Sequence, residues 1–140
     1  MEQVCVGVDI GGTSVKLGIF TLNGNLLKKW EIPTEPKNDP KALIEKIGKS
    51  IKKTLKEARL TLTDCVGVGM GVPGPVMPNG FIEVVVNIGW KEVFPAIILS
   101  DFLAGMPVAL GNDANVAALG EAWMGGAKHQ QDSVMVTLGT

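Results

Sequence analysis

The sequence predicts an α/β domain in which a three-stranded antiparallel meander continues into parallel βα units. Three observations carry this reading. Apolar runs at 4–10, 14–20 and 26–32 are separated by Gly11-Gly12 and Asn23-Gly24, two tight-turn signals. An amphipathic stretch follows, with Ile44, Ile47, Ile51, Leu55 and Ala58 at helical spacing and lysines largely between them. Beyond it, strand-like and helix-like runs alternate, which implies parallel crossovers.

Each element has a local reason. Asn38-Asp39-Pro40 supplies a cap residue followed by proline at the first helical position, so the helix should start there and run to about Arg59. Residues 66–70 read as a buried strand, followed by a Gly/Pro loop and a short apolar patch at 81–86. Residues 94–103 read as a helix, 108–110 as a strand, 114–124 as a second helix and 133–138 as one more strand. The expected division is a domain over 1–132 and the first strand of a second domain over 133–140.

Composition narrows the function. Hydrophobic residues are 46% and charged residues 19% of the 140, with a net charge of -1, which suits a globular chain and disfavours nucleic-acid binding driven by net charge. The stretch 65–82 is uncharged but carries Gly67, Gly69, Gly71, Pro73, Gly74, Pro75, Pro78 and Gly80, so no membrane helix is expected. No basic segment or cleavage site precedes the apolar run at Val4, and the expected location is the cytoplasm. Eleven Lys or Arg stand against seven acids in 1–60, and most of that excess falls on the predicted helix, where it reads as a solvated face. Cys5 and Cys65 form no C-x-x-C pair and read as two buried thiols.

Three motifs could carry chemistry. Asp9-Ile10-Gly11-Gly12-Thr13 puts a carboxylate at the end of a strand beside two glycines and a hydroxyl, with Lys16 on the next strand. Exposed amides in a glycine turn make an anion-binding concavity, and the Asp could hold a hydrated Mg²⁺ beside phosphoryl groups. An ordinary hairpin turn is the alternative. The stretch 69–74 is a literal G-x-G-x-x-G, but Pro73 and Pro75 remove donors and 76–80 cannot open the helix a dinucleotide site needs. It suits backbone contact with a small polar molecule instead. Asn112-Asp113 is either a helix cap or a general-base pair, Asp113 accepting a proton from an alcohol that Asn112 orients.

Together, DIGGT at 9–13, GVPGPV at 71–76 with NIGW at 87–90, and NDANVAALGE at 112–121 resemble the ROK family of sugar kinases and sugar-responsive repressors, in particular its glucokinase branch. VTLGT at 136–140 looks like the opening of the family's second phosphate motif. The resemblance spans the whole chain and implies a ribonuclease-H-like domain of the actin-like ATPase fold, one of two duplicated domains with sugar and MgATP in the cleft between them.

It implies that Asp9, Gly11, Gly12, Thr13 and Lys16 face the phosphates of ATP, with Asp9 beside Mg²⁺, and that Thr137, Gly139 and Thr140 join them. Gly71, Gly74, Asn87, Asn112 and Asp113 would contact a hexose, with Asp113 the base for its 6-hydroxyl. The sequence departs from the family pattern at Met77, Val86 and Gly111, where Asp, Pro and Glu are frequent.

A sugar-sensing repressor is the competing class. It would carry a DNA-binding helix pair before the strand at Val4, so the kinase is expected. NDAN followed by AALGE argues against other actin-like ATPases. The 140 residues alone are expected to be inactive, and a homodimer is expected through surface around Ala117, Leu119 and Trp123 and the strand at 133–138.

Overall fold

A computed structural model describes residues 3–112. Strand β1 (Val4–Ile10) alternates buried valines and isoleucine with half-exposed Cys5, Gly7 and Asp9, the signature of a strand with one face on the core. It turns into β2 (Ser14–Thr21), and β2 turns at Asn23-Gly24 into β3 (Leu26–Pro33). The Asn-Gly turn is closed by Gly24 N–H donating to Thr21 O at 3.0 Å, with Gly24 in the left-handed region at φ 93°. These three strands are the expected antiparallel meander.

Helix α1 (Pro40–Glu57) starts as the sequence predicts. Asp39 accepts the Ala42 N–H at 3.1 Å and Pro40 occupies the first turn. Leu43, Ile44, Ile47, Ile51 and Leu55 are all at most 1% exposed, so the helix is held by its apolar face, each such side chain contributing about 1.5–3 kcal/mol. Ala58, expected on that face, is instead an exposed C-cap residue. The chain turns left-handed at Arg59 (φ 63°), and the helix ends at Glu57, two residues before the expected end.

A short 3₁₀ turn leads to β4 (Cys65–Val72), longer at both ends than the predicted strand. The apolar patch at 81–86 becomes β5 (Ile82–Val85), which pairs antiparallel with β6 (Trp90–Val93), a strand the sequence reading did not anticipate. Helix α2 (Pro95–Phe102) and β7 (Val108–Asn112) follow. The two helices pack closely: a Cβ at Gly48 would lie 2.3 Å from the Phe102 ring, and Lys52 Nζ sits 4.4 Å from that ring's centre.

The large sheet has the order β3-β2-β1-β4-β7, antiparallel from β3 to β1 and parallel from β1 through β4 to β7. The expected α/β meander-then-crossover architecture is therefore present. Among the described residues no helix is long and apolar enough to cross a membrane. The predicted helix at 114–124, the strand at 133–138, the boundary at 132 and the expected dimer surface lie outside the described residues.

Candidate active site

Because β1, β4 and β7 run parallel, their carboxyl ends lie side by side, and the pairing register decides what meets there. Asp9 pairs with Gly71 and Gly71 with Gly111; on the antiparallel side Asp9 pairs with Lys16, and Lys16 with Glu31. Neighbouring strands are about 4.8 Å apart and register partners share a face. One row across the sheet thus reads Glu31, Lys16, Asp9, Gly71, Gly111: alternating charges up to Asp9, then two positions without side chains. A carboxylate beside bare backbone leaves room for a ligand. Asn112 ends β7 one position further on, paired with Val72, so it belongs to a strand rather than to the connection after it. Gly71 likewise is a buried residue within β4, not part of the Gly/Pro loop.

The turn at residues 11–13 joins this row directly. Gly11 N–H donates to Ser14 O at 2.9 Å, and a Cβ at Gly11 would lie 2.8 Å from that same oxygen. Gly11 is thus required by the turn's own closure, and its amide is used there. The Gly12 and Thr13 amides have no acceptor among the described residues. A Cβ at Gly12 would meet nothing within 4 Å, so the fold imposes no glycine there and the space in front of it is open. Two amides without an acceptor among the described residues, beside open space at Gly12, fit a phosphate group.

A hydrated Mg²⁺ fits the same edge. Among the described residues no group of three or more His, Cys, Asp or Glu could hold a metal on its own. Mg²⁺ seldom asks for one, since it keeps several waters and takes one or two carboxylates together with substrate phosphates. Asp9 is such a carboxylate.

The Asn87 loop is built off the sheet. Gly74, in the bend after β4, would place a Cβ 3.2 Å from Val85 Cγ2, so its bareness lets the β5–β6 hairpin close against it. Asn87 is exposed in the 3₁₀ turn Val86–Ile88 that joins the two strands. The turn ends on left-handed Gly89 (φ 67°), and Trp90 behind it is fully buried, its indole Nε1 without a partner among the described residues. Of the positions that depart from the family pattern, Met77 and Val86 are 52% and 82% exposed.

Two contributors had no sequence signal for this role. Thr34 is fully buried, its hydroxyl donating to Gly11 O at 2.9 Å and its N–H to Thr13 O at 3.0 Å. Asn38 N–H donates to Ile88 O at 2.9 Å. Both act on backbone atoms of other segments, which no periodicity reveals. Asp113, Thr137, Gly139 and Thr140 lie outside the described residues. Cys65 is buried as expected and donates to Gly67 O at 3.4 Å; Cys5, expected buried, is half-exposed.

The fold is that of an actin-like ATPase domain, shared with solved ROK sugar kinases. Residues 5–140 match the ROK family, and the chain belongs to it. It is 39% identical over 136 residues to a glucokinase of Halalkalibacterium halodurans, covering 96% of this chain and 41% of that protein. A solved ROK glucokinase of Streptomyces griseus in complex with glucose and AMPPNP superposes with a TM-score of 0.69 at 27% identity, covering 90% of this chain and 38% of that one. The family is not uniform: a xylose repressor of Caldicellulosiruptor bescii is 26% identical over 96% of this chain and 34% of its own length. The chain spans about two-fifths of the curated glucokinase it matches.

Proposed function

We propose that this chain supplies the first domain of an ATP-dependent sugar kinase of glucokinase type, which transfers the γ-phosphate of ATP to the 6-hydroxyl of glucose or a related hexose. The observation that carries the reading is the sheet-edge row, in which Asp9 stands beside Gly71, with Gly111 next in the row, close in sequence to a turn with two available amides. The similarity to a glucokinase that binds glucose and AMPPNP supports it. A soluble reaction fed by ATP is consistent with the cytoplasm.

In this reading the Gly12 and Thr13 amides hold phosphate oxygens, Gly11 shapes the turn that presents them, and Lys16 adds positive charge beside Asp9. Asp9 would hold a water-bearing Mg²⁺, which when bound neutralises phosphoryl charge. Gly71 and Gly74 let backbone approach the hexose, Asn87 and Asn112 orient it, and Asp113 takes the proton of its 6-hydroxyl. Thr137, Gly139 and Thr140 complete the phosphate contacts. Phosphoryl transfer is mostly positioning and electrostatic stabilisation, so the reaction needs both domains.

The test is made on the full-length protein. Asp113→Asn should lower kcat by roughly a hundredfold or more with a smaller change in sugar affinity, because the base acts in the transition state. Near-normal turnover of that variant overturns the base assignment. The 140 residues alone should show no glucose-dependent ATP consumption near the rates of about 1–100 per second common to kinases. The second reading, a sugar-sensing regulator, is favoured by the xylose repressor similarity. Calorimetric titration with nucleotide separates the two, since a kinase would bind MgATP whereas a regulator would bind sugar, take up no nucleotide and phosphorylate nothing.

A further inference from the structure

We propose that the connector between β3 and α1, residues 34–38, is a positioning strap that fixes the phosphate-side turn and the Asn87 loop relative to each other, with Thr34 and Asn38 as its two attachment points. This rests on the reading that the turn takes phosphate and the loop takes sugar.

The phosphate-side end is Thr34. Its hydroxyl and its N–H hold Gly11 O and Thr13 O, the carbonyls on either side of Gly12. Thr34 is fully buried, where valine would pack equally well, so the hydroxyl's contribution is the hydrogen bond rather than filling space. The two bonds brace the turn that carries the available amides.

The sugar-side end is Asn38. It adopts a left-handed backbone (φ 64°), which Asn tolerates better than most residues. That conformation aims its N–H at Ile88 O and lays its side chain over Gly89, where a Cβ would lie 1.5 Å from Asn38 Oδ1. Ile88 and Gly89 immediately follow Asn87. The loop is therefore clasped from the connector, next to the residue expected to meet the sugar.

Between these ends the strap is anchored to α1. Lys46 Nζ donates to Pro33 O at 3.3 Å and Glu35 O at 3.1 Å, and Asp39 caps the helix. Four residues of chain span at most about 14 Å, so the two attachment points sit within the reach of a hexose and the phosphate it receives. A strap pinned to a helix and clasping both loops keeps acceptor and donor aligned, where an error of 1 Å can cost about a hundredfold in rate.

The experiment compares steady-state kinetics and hydrogen exchange in the full-length protein. Thr34→Val should raise the KM for MgATP about fivefold and speed exchange of the Gly11 amide, with the sugar KM little changed, and Thr34→Ser should restore both. Asn38→Gly, which keeps the left-handed backbone, should raise the sugar KM about fivefold and speed exchange of the Gly89 amide, and Asn38→Asp should restore much of it. Thr34→Val within twofold of wild type in both readouts overturns the proposal. So does a fall in thermal stability with both KM values rising equally, the mark of a merely structural role. If the wild-type protein phosphorylates no sugar, the functional reading fails, and exchange at Gly11 and Gly89 still decides whether the strap braces the two loops.

Discussion

The turn at residues 11–13 links neighbouring strands of the five-stranded sheet, whereas Val86–Ile88 links a hairpin that pairs with no other described strand. The first is placed by register: Asp9 is fixed against Lys16 on one side and Gly71 on the other by backbone ladders. The second is placed by packing, with Ile82, Val85, Ile88, Trp90 and Val93 buried in the core, and by close contacts of Gly74 with Val85 and of Asn38 with Ile88 and Gly89. A register-built site tolerates side-chain change so long as the strands pair. A contact-built site is sensitive to side-chain change at its close contacts, and the following predictions exploit that difference.

The largest effect is expected at Gly89. Both Gly80 (φ 85°) and Gly89 (φ 67°) are left-handed, but a Cβ at Gly80 meets nothing within 4 Å while one at Gly89 overlaps Asn38. Gly80→Ala should cost about 1 kcal/mol of backbone strain. Gly89→Ala should cost about 2–4 kcal/mol, strain and overpacking together. Chemical denaturation of the two variants measures this. Equal losses would mean that Asn38 yields freely, and that the hairpin is placed by something other than this contact.

On the register-built side the matching pair is Gly11 and Gly12. Gly11→Ala meets the Ser14 carbonyl, a backbone atom that cannot swing aside, and should destabilise by about 1–2 kcal/mol. Gly12→Ala should leave stability within about 0.5 kcal/mol, since nothing in the fold opposes it. It should nevertheless weaken nucleotide binding about tenfold or more in the full-length protein, because the methyl group enters the open cradle. A Gly12→Ala variant that binds nucleotide normally would take the phosphate out of this turn. A smaller loss, about 1 kcal/mol, is expected for Asp39→Ala, which removes the cap of α1 without touching either loop.

The same difference explains what could be read from the sequence. The meander and α1 were legible because each repeats a period and ends on a recognisable turn or cap, down to Asp39 and Pro40. The β5–β6 hairpin was not. Both strands bury their first and fourth residues, Ile82 with Val85 and Trp90 with Val93, and expose the two between. That pattern breaks the alternation by which strands are recognised. In the site, Asp9, Gly11, Gly12 and Gly71 were legible as motif residues, but the row that Asp9 and Gly71 form with Lys16 and Gly111 appears only once pairing is known. Gly71 was read as loop because the Gly/Pro run hides where β4 ends. Thr34 carries no motif, Asn38 was legible only within the helix-start triplet, and the work of both is done on carbonyls distant in sequence.

The smallest effect concerns Cys65, which opens β4 and pairs in register with Val4. Burial pushes its thiol above the ordinary cysteine range, since a thiolate there would lose its hydration. The unfolded chain then ionises first as pH rises, at about pH 8.5, and binds fewer protons than the folded chain. The stability that Cys65 contributes is thus complete below about pH 8.5 and is lost as pH rises through the folded-state value. Denaturation of the wild type and Cys65→Ala from pH 7 to 10 should show their difference shrinking toward the alkaline end. A thiol reagent at pH 8 should modify half-exposed Cys5 well before Cys65. If Cys65 reacts as fast as Cys5, or if the difference stays level with pH, the start of β4 opens to water. The register that carries Asp9 to Gly71 would then be looser at that end of the sheet than at the end that forms the site.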